Sequence, residues 1–426
     1  IMRAEDIFRN DYKSMMVMAN HNNAYGWFPI TKCWRSKPQE QTIKIKTKFG
    51  REIIVTANHP ILTEGNVWTE AKNISIGTRI GIPKIFRDDG KIPDILSTIP
   101  TENTDDWVVE VKDPDEYASE NKEHIVNIIE ISGRYARDKR YKNGHADKHL
   151  WKYKQNNRFW LPVMNGIPPN STLFPYRSNV GIRSEISLTQ DLLWLIGFYI
   201  AEGCISKPKH SDNYVTVFAS DLKFLEKAKK ILGDVLVDSK PTIVWCKQSP
   251  TLRINCNVLP YLLRNIIGIP DGKARQKALP DWALELPLDM LRHVLQGMYD
   301  GDGCKQNKEW FDYSTTSKTL AEQVLFILLR FGIVGSLNRA NTKLNGKTYG
   351  IGYRIGAFGM SSMHISEWDS ALTQRIQSRY ESDVAWAPVN NIENVNSPEW
   401  VYDISVDTAE NFVTGNLITA HNCYSE

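Results

Sequence analysis

Leu195-Ile196-Gly197-Phe198-Tyr199-Ile200-Ala201-Glu202-Gly203 and Leu295-Gln296-Gly297-Met298-Tyr299-Asp300-Gly301-Asp302-Gly303 repeat one nine-residue design at an offset of 100 positions, with Leu, Gly, a small residue, an acid and Gly in matching places. Such self-similarity marks an internal duplication. The first copy sits in Leu192–Gly203, which is apolar on every face and predicts a helix buried against another helix. Gly197 with Ala201, and Gly297 with Gly301, lie four apart and so share one helix face, where small side chains permit close approach. If the two faces pack together, Glu202 and Asp302 end side by side, and their mutual repulsion calls for divalent cations. The pattern therefore predicts a magnesium site facing a phosphodiester, with the metal activating water and stabilising the leaving oxygen.

The duplication continues beyond the helices. After the first come Ser220-Asp221-Leu222-Lys223-Phe224-Leu225-Glu226, an amphipathic helix start, and the strand Leu252-Arg253-Ile254-Asn255. The second is followed by Thr316-Ser317-Lys318-Thr319-Leu320-Ala321-Glu322, a helix over Gln323–Phe331 and the strand Tyr353-Arg354-Ile355-Gly356. Two α+β halves of the same order, αββαββα-like, predict pseudo-twofold symmetry.

A chain of 426 residues, 42 % hydrophobic and 24 % charged, has room for two or three domains. Its longest strong apolar run, Leu192–Ala201, is ten residues, about half of what a membrane helix needs. A membrane partner is not expected, and the first residues lack the apolar stretch of a secretory signal. Six cysteines (Cys33, Cys204, Cys246, Cys256, Cys304, Cys423) form no C-x-x-C pair, which argues against a zinc knuckle or disulfide framework. A reducing, cytoplasmic setting is expected.

Residues 1–105 read as short strands and turns: Thr42–Thr47 alternates with period two, Phe49-Gly50-Arg51 turns, and Glu52–Thr56 returns as a hairpin partner. Strand character reappears in 386–422. Residues 106–185 form a turn-rich insertion whose basic stretch holds Arg134, Arg137, Lys139, Arg140, Lys142, Lys148, Lys152, Lys154 and Arg158 against Asp138 and Asp147. That is +7 in a chain whose total is +3, so the remainder carries −4. Tyr135, Tyr141, Trp151, Tyr153, Phe159 and Trp160 are interleaved and can pack on sugars or unpaired bases while the cations neutralise phosphates.

A second chemistry lies at the edges. Thr56-Ala57-Asn58-His59 ends a strand, so a hydroxyl and an imidazole can address one peptide bond. His421-Asn422-Cys423 is more specific. The Asn422 amide can attack its own carbonyl to form a succinimide, Cys423 can accept an acyl group, and His421 can supply the proton that the leaving amine needs.

Leu195–Gly203 and Leu295–Gly303 resemble the paired signature of the LAGLIDADG homing endonucleases, a likeness that covers about 185–385. The resemblance implies that Glu202 and Asp302 bind the metal, and that saddle-shaped sheets straddle the DNA groove. It also implies a basic residue near the site, for which Arg253, Arg354 and Lys318 are candidates. His421-Asn422-Cys423 and Thr56-x-x-His59 resemble an intein's C-terminal splice junction and internal block, and by that likeness Asp403 assists the central steps. Together they imply an all-β Hint splicing domain interrupted by an α+β endonuclease: 1–105 and 386–422 the Hint parts, 106–185 a linker with DNA-recognition insertion, 186–385 the endonuclease, and 423–426 C-extein residues of a host protein. Two departures stand out. The Cys- or Ser-led first block is missing, which implies a short N-terminal fragment bearing Cys as a separate partner chain, or a truncated contiguous intein. Glu410 stands where the family usually has His. An endonuclease with an inactive splicing scaffold is the alternative.

Overall fold

The computed structural model describes the chain except residues 1–3, 87, 94–95, 98–106, 125–157, 162–164, 169, 176–177, 212, 247–248, 304–309, 345–346, 359–382 and 423–426. It divides into two compact units, residues 1–92 with 270–426, and residues 93–269. The second copy of the repeat thus shares a unit with the β-rich ends, and the first copy lies in the other unit.

In the first unit, the strand Val384–Val395 joins the ends of the chain. Its first half pairs with Arg79–Pro83 and, past an irregularity between Val389 and Asn391, its second half pairs with Thr42–Thr47. The expected hairpin is present, with Thr42 opposite Thr56. Onto the same sheet come Pro60–Thr63, Thr419–His421 and Asn411–Val413. The inward-facing Ile45, Ile61, Ile80, Ile82, Ala387, Val389, Ile418 and Ala420 form one core from both ends of the sequence. Two smaller pairs flank it: Lys32–Ser36 with Val401–Ser405, and the hairpin Met16–His21 with Ala24–Pro29. The latter turns through Asn22 and Asn23 at φ of 52° and 63°, the left-handed geometry that a two-residue hairpin loop requires and Asn tolerates.

The 42–56 hairpin is stitched to the second repeat. The Leu337 amide donates to the Phe49 carbonyl (2.8 Å), and Gly50, at φ 73°, lies so close that a Cβ there would sit 1.6 Å from the Leu337 oxygen. Arg51, 1 % exposed, donates to the carbonyls of Gly335 (3.0 Å) and Asn416 (3.4 Å), and Glu52 pairs with Arg339.

The two copies of the repeat build the same topology. In the second unit the helix Gln190–Glu202 leads to a sheet ordered 203–206, 215–219, 249–255, 242–246, with the helix Leu222–Val235 between its second and third strands in sequence. In the first unit the helix Leu288–Asp302 leads to a sheet ordered 310–315, 347–358, 336–344, with the helix Lys318–Arg330 after its first strand. Strands 215–219, 249–255 and 242–246 correspond in turn to 310–315, 347–358 and 336–344. The first acidic helix is buried from Leu192 through Ile200, as its all-round apolarity predicts. Thr189 caps it, accepting from the Leu192 amide (3.2 Å), and Trp194 stacks on Phe198, one turn on, at 4.8 Å.

The insertion is more regular than its sequence suggests. Its described residues contribute 107–110, 158–160, 172–175 and 181–183 to a sheet completed by Leu236–Val237. Among the described residues no helix is long and apolar enough to cross a membrane.

Candidate functional site

The edges of the chain meet at the central strand Pro60–Thr63. Ile61 is opposite Ala420 on one side and Thr69 on the other. By the two-residue alternation of a strand, the neighbours His421 and Trp68 therefore share the opposite sheet face. Asn422 is buried, its amide N–H donates to the Glu410 carbonyl (3.0 Å), and its side-chain Nδ2 donates to the Val406 carbonyl (3.2 Å). Oδ1 of Asn422 is buried with no hydrogen-bond partner among the described residues. The imidazole Nδ1 of His421 lies 2.6 Å from the Asn422 carbonyl oxygen. With its proton on Nδ1, the ring donates to that oxygen and polarises the carbonyl.

His59 joins this cluster. Its ring packs edge-on against Phe412 (6.5 Å), and burial, with a smaller contribution from His421, lowers its pKa to about 4. It is therefore neutral at pH 7. The backbone between Thr56 and His59 closes tightly, His59 N to Thr56 O at 3.1 Å, while the Thr56 hydroxyl donates to Asn58 Oδ1 at 3.0 Å. Asp403 is buried on the paired strand 401–405, where its Oδ1 accepts from the Ile404 amide (2.8 Å). The Cys33 thiol is pushed up by burial and then by the Asp403 charge. Glu410, the departure from the family pattern, adopts φ 56°, and its side chain is exposed. It reaches Asn422 through its backbone carbonyl. Cys423 lies outside the described residues.

The acids of the repeat end their helices. Glu202 is the last residue of 190–202 and Asp302 the last of 288–302, and each is followed by an extended glycine. A carboxylate at a helix C-terminus faces the negative end of the dipole, so folding stability alone does not favour it there. The glycines answer to the tyrosine one turn earlier: a Cβ on Gly203 would meet the Tyr199 ring at 2.0 Å, and one on Gly303 the Tyr299 ring at 2.4 Å. Asp302 is exposed at the surface, but the protein packed around its carboxyl partly desolvates it and raises its pKa to about 6, opposed by the charge of Lys277. Lys277 was not singled out from sequence, since nothing in the repeat marks it. Tertiary structure holds it in place: the Ser317 hydroxyl donates to its carbonyl (2.7 Å), and Gln323 brackets Leu279 with two 2.9 Å bonds.

The sequence-level basic candidates divide. Arg354 pairs with Asp312 and Lys318 with Glu322 (3.5 Å), while Arg253 is exposed on its strand. Arg158 is engaged within its own sheet, its guanidinium 3.4 Å from the centroid of Phe174, donating to the Ser178 carbonyl and 3.7 Å from Glu110. Arg134, Arg137, Lys139, Arg140, Lys142, Lys148, Lys152 and Lys154 lie outside the described residues.

An uncharacterized protein of Methanocaldococcus jannaschii is 24 % identical over 90 % of this chain and 45 % of its own length. A DNA polymerase of Thermococcus litoralis is 24 % identical over 92 % of this chain and 28 % of the polymerase. The chain thus spans less than half the length of these curated relatives. A solved structure of mesophilic variants of the homing endonuclease I-DmoI matches 43 % of this chain and 98 % of its own at 17 % identity, with a TM-score of 0.32. The family model described as the intein splicing domain matches residues 2–422, end to end across the strands that close on Asn422, and the chain belongs to the intein splicing-domain family.

Proposed function

We propose that this chain completes protein splicing through Asn422 and Cys423. The observation that carries the reading is the His421 imidazole, 2.6 Å from the Asn422 carbonyl oxygen, beside a buried Asn422 amide held by one side-chain hydrogen bond. Nδ2 of Asn422 attacks its own carbonyl carbon and loses a proton, the C–N bond to Cys423 breaks, and the freed amine takes up a proton. The products are a C-terminal succinimide and a new N-terminal Cys423. Before that step the Cys423 thiolate attacks the thioester at the N-terminal junction and the thiolate of the junction Cys leaves; after it the freed Cys423 amine attacks the new thioester, releasing the Cys423 thiol and joining the flanks by a peptide bond. Neutral His59, with Thr56, serves that junction, and Asp403 the transfer between the two. Splicing in trans with a Cys-bearing fragment, joining the flanks of a host protein, belongs to the proposal.

Mass spectrometry of the chain mixed with a Cys-led N-terminal intein peptide tests this. A ligated product ending in Cys423-Tyr424-Ser425-Glu426, absent for Asn422→Ala, is expected. Absence of both ligation and C-terminal cleavage with the chain's own partner peptide overturns it in favour of a splicing-inactive scaffold.

A second activity, site-specific cleavage of double-stranded DNA, is favoured by the duplicated helices that each end in an acid against the helix dipole. Glu202 and Asp302 are hard oxygen donors suited to Mg²⁺. A divalent cation held by such carboxylates would supply Lewis-acid stabilisation and an activated water. Lys277, whose charge acts on Asp302, helps keep that carboxylate ionised, and the basic stretch 134–158 holds the phosphate backbone. Magnesium-dependent nicking of target-bearing plasmid, lost in Asp302→Asn, is the expected result.

A further inference from the structure

Trp68 carries no role in the reading above, yet it contacts the splicing centre. Its indole meets the His421 imidazole at 4.7 Å between centroids with the planes 83° apart, an edge-to-face pair. The contact follows from the topology: Trp68 pairs with Leu62, His421 follows Ala420, and both strands flank Pro60–Thr63 on the same sheet face. The rest of the centre is held differently. Backbone carbonyls of Glu410 and Val406 fix Asn422, and strand pairing to Asn411 fixes the His421 backbone, but neither sets the imidazole's rotation about its side-chain bonds. Glu410 offers a carboxylate instead of an imidazole, and its side chain is exposed. A 2.6 Å contact to the Asn422 carbonyl thus depends on what holds the His421 ring, and an aromatic wall at right angles removes the competing rotamers.

We propose that Trp68 is a positioning residue for C-terminal cleavage, holding the His421 imidazole on the carbonyl of Asn422. The inference rests on the Asn422 cyclisation reading. It acts through His421, the ring it packs against. At 36 % exposure, Trp68 can be replaced with little demand on the core.

The test follows release of Cys423–Glu426 by mass spectrometry from the full chain, in wild type, Trp68→Phe, Trp68→Leu and Asn422→Ala, with thermal midpoints for each. In parallel, the His421 Hε1 resonance is measured by NMR in the Asn422→Ala background, with and without Trp68→Leu. Trp68→Leu is expected to slow release about 10-fold or more, Trp68→Phe to stay within about 3-fold of wild type, and Trp68→Leu to move the His421 resonance through loss of the indole ring current. Wild-type rates in Trp68→Leu overturn the positioning role and leave the cyclisation reading standing. Equal losses in Phe and Leu variants, tracking their midpoints, overturn it in favour of a structural role. No release from wild type in the presence of the chain's own partner peptide overturns both.

Discussion

Nδ1 of His421 lies 2.6 Å from the carbonyl oxygen of Asn422. A donor at that oxygen stabilises the charge that develops as the Asn422 side chain adds to the carbonyl. His421→Ala is expected to slow C-terminal cleavage by about 10²–10³-fold, the range typical of losing one oxyanion donor. His421→Gln, which can still donate, is expected to recover part of it. Single-turnover release of the C-terminal tetrapeptide measures both, and an unchanged rate in His421→Ala would remove the imidazole from the mechanism.

His59 makes folding stability sensitive to acid. Its pKa is about 4 in the fold against 6.5 unperturbed, so as pH falls below 6.5 the unfolded chain takes up a proton that the native state refuses. Stability is complete above 6.5, declines down to about 4 and levels off below, a loss approaching roughly 3 kcal/mol from this one group. Chemical denaturation across pH 4–7, wild type minus His59→Gln, should isolate that slope; parallel curves would exclude it.

Gly203 and Gly303 leave no room for a methyl group, because Tyr199 and Tyr299 occupy the space. Gly203→Ala and Gly303→Ala are each expected to cost about 1–3 kcal/mol, the first through a displaced Tyr199 ring and the second through the ring and backbone oxygen of Tyr299. Shortening the ring to Leu in the double variant Tyr199→Leu/Gly203→Ala should return part of the loss. Additive losses in a double-mutant cycle would contradict the clash.

Arg51 remains a cation at neutral pH, since burial lowers its pKa only to about 10. Arg51→Met keeps the bulk but leaves the Gly335 and Asn416 carbonyls without their donor. An expected cost of about 3 kcal/mol, seen as a lower denaturant midpoint, reflects two polar groups left unpaired.

If Asp302 helps hold a divalent cation, millimolar Mg²⁺ should raise the thermal midpoint of the wild-type chain by mass action. Asp302→Asn should abolish that rise and, with the partly desolvated charge gone, leave the metal-free protein no less stable. An identical Mg²⁺ response in both proteins would place the ion elsewhere.

Much of this was legible along the chain because the signals are local. The 100-residue offset exposed the duplication, period-two alternation located the 42–56 hairpin, and the proposed chemistry of His421-Asn422-Cys423 is written in adjacent residues. Regular sheet within 106–185 escaped notice, since three- and four-residue strands are too short to show a period.

By itself, then, the sequence determined the two matching α/β halves, their terminal acids and the His421-Asn422-Cys423 triplet, each written in side chains a few residues apart. Only tertiary structure decided that the second half shares a unit with the splicing strands, sealed by Gly50 under Leu337 and by the buried Arg51. It alone set Lys277 to act on Asp302, and Trp68 against His421. The physical reason is range: periodicity reports which face of one element is apolar. Which distant residue fills the space beside a functional group depends on how separate elements pack, and no local pattern encodes that.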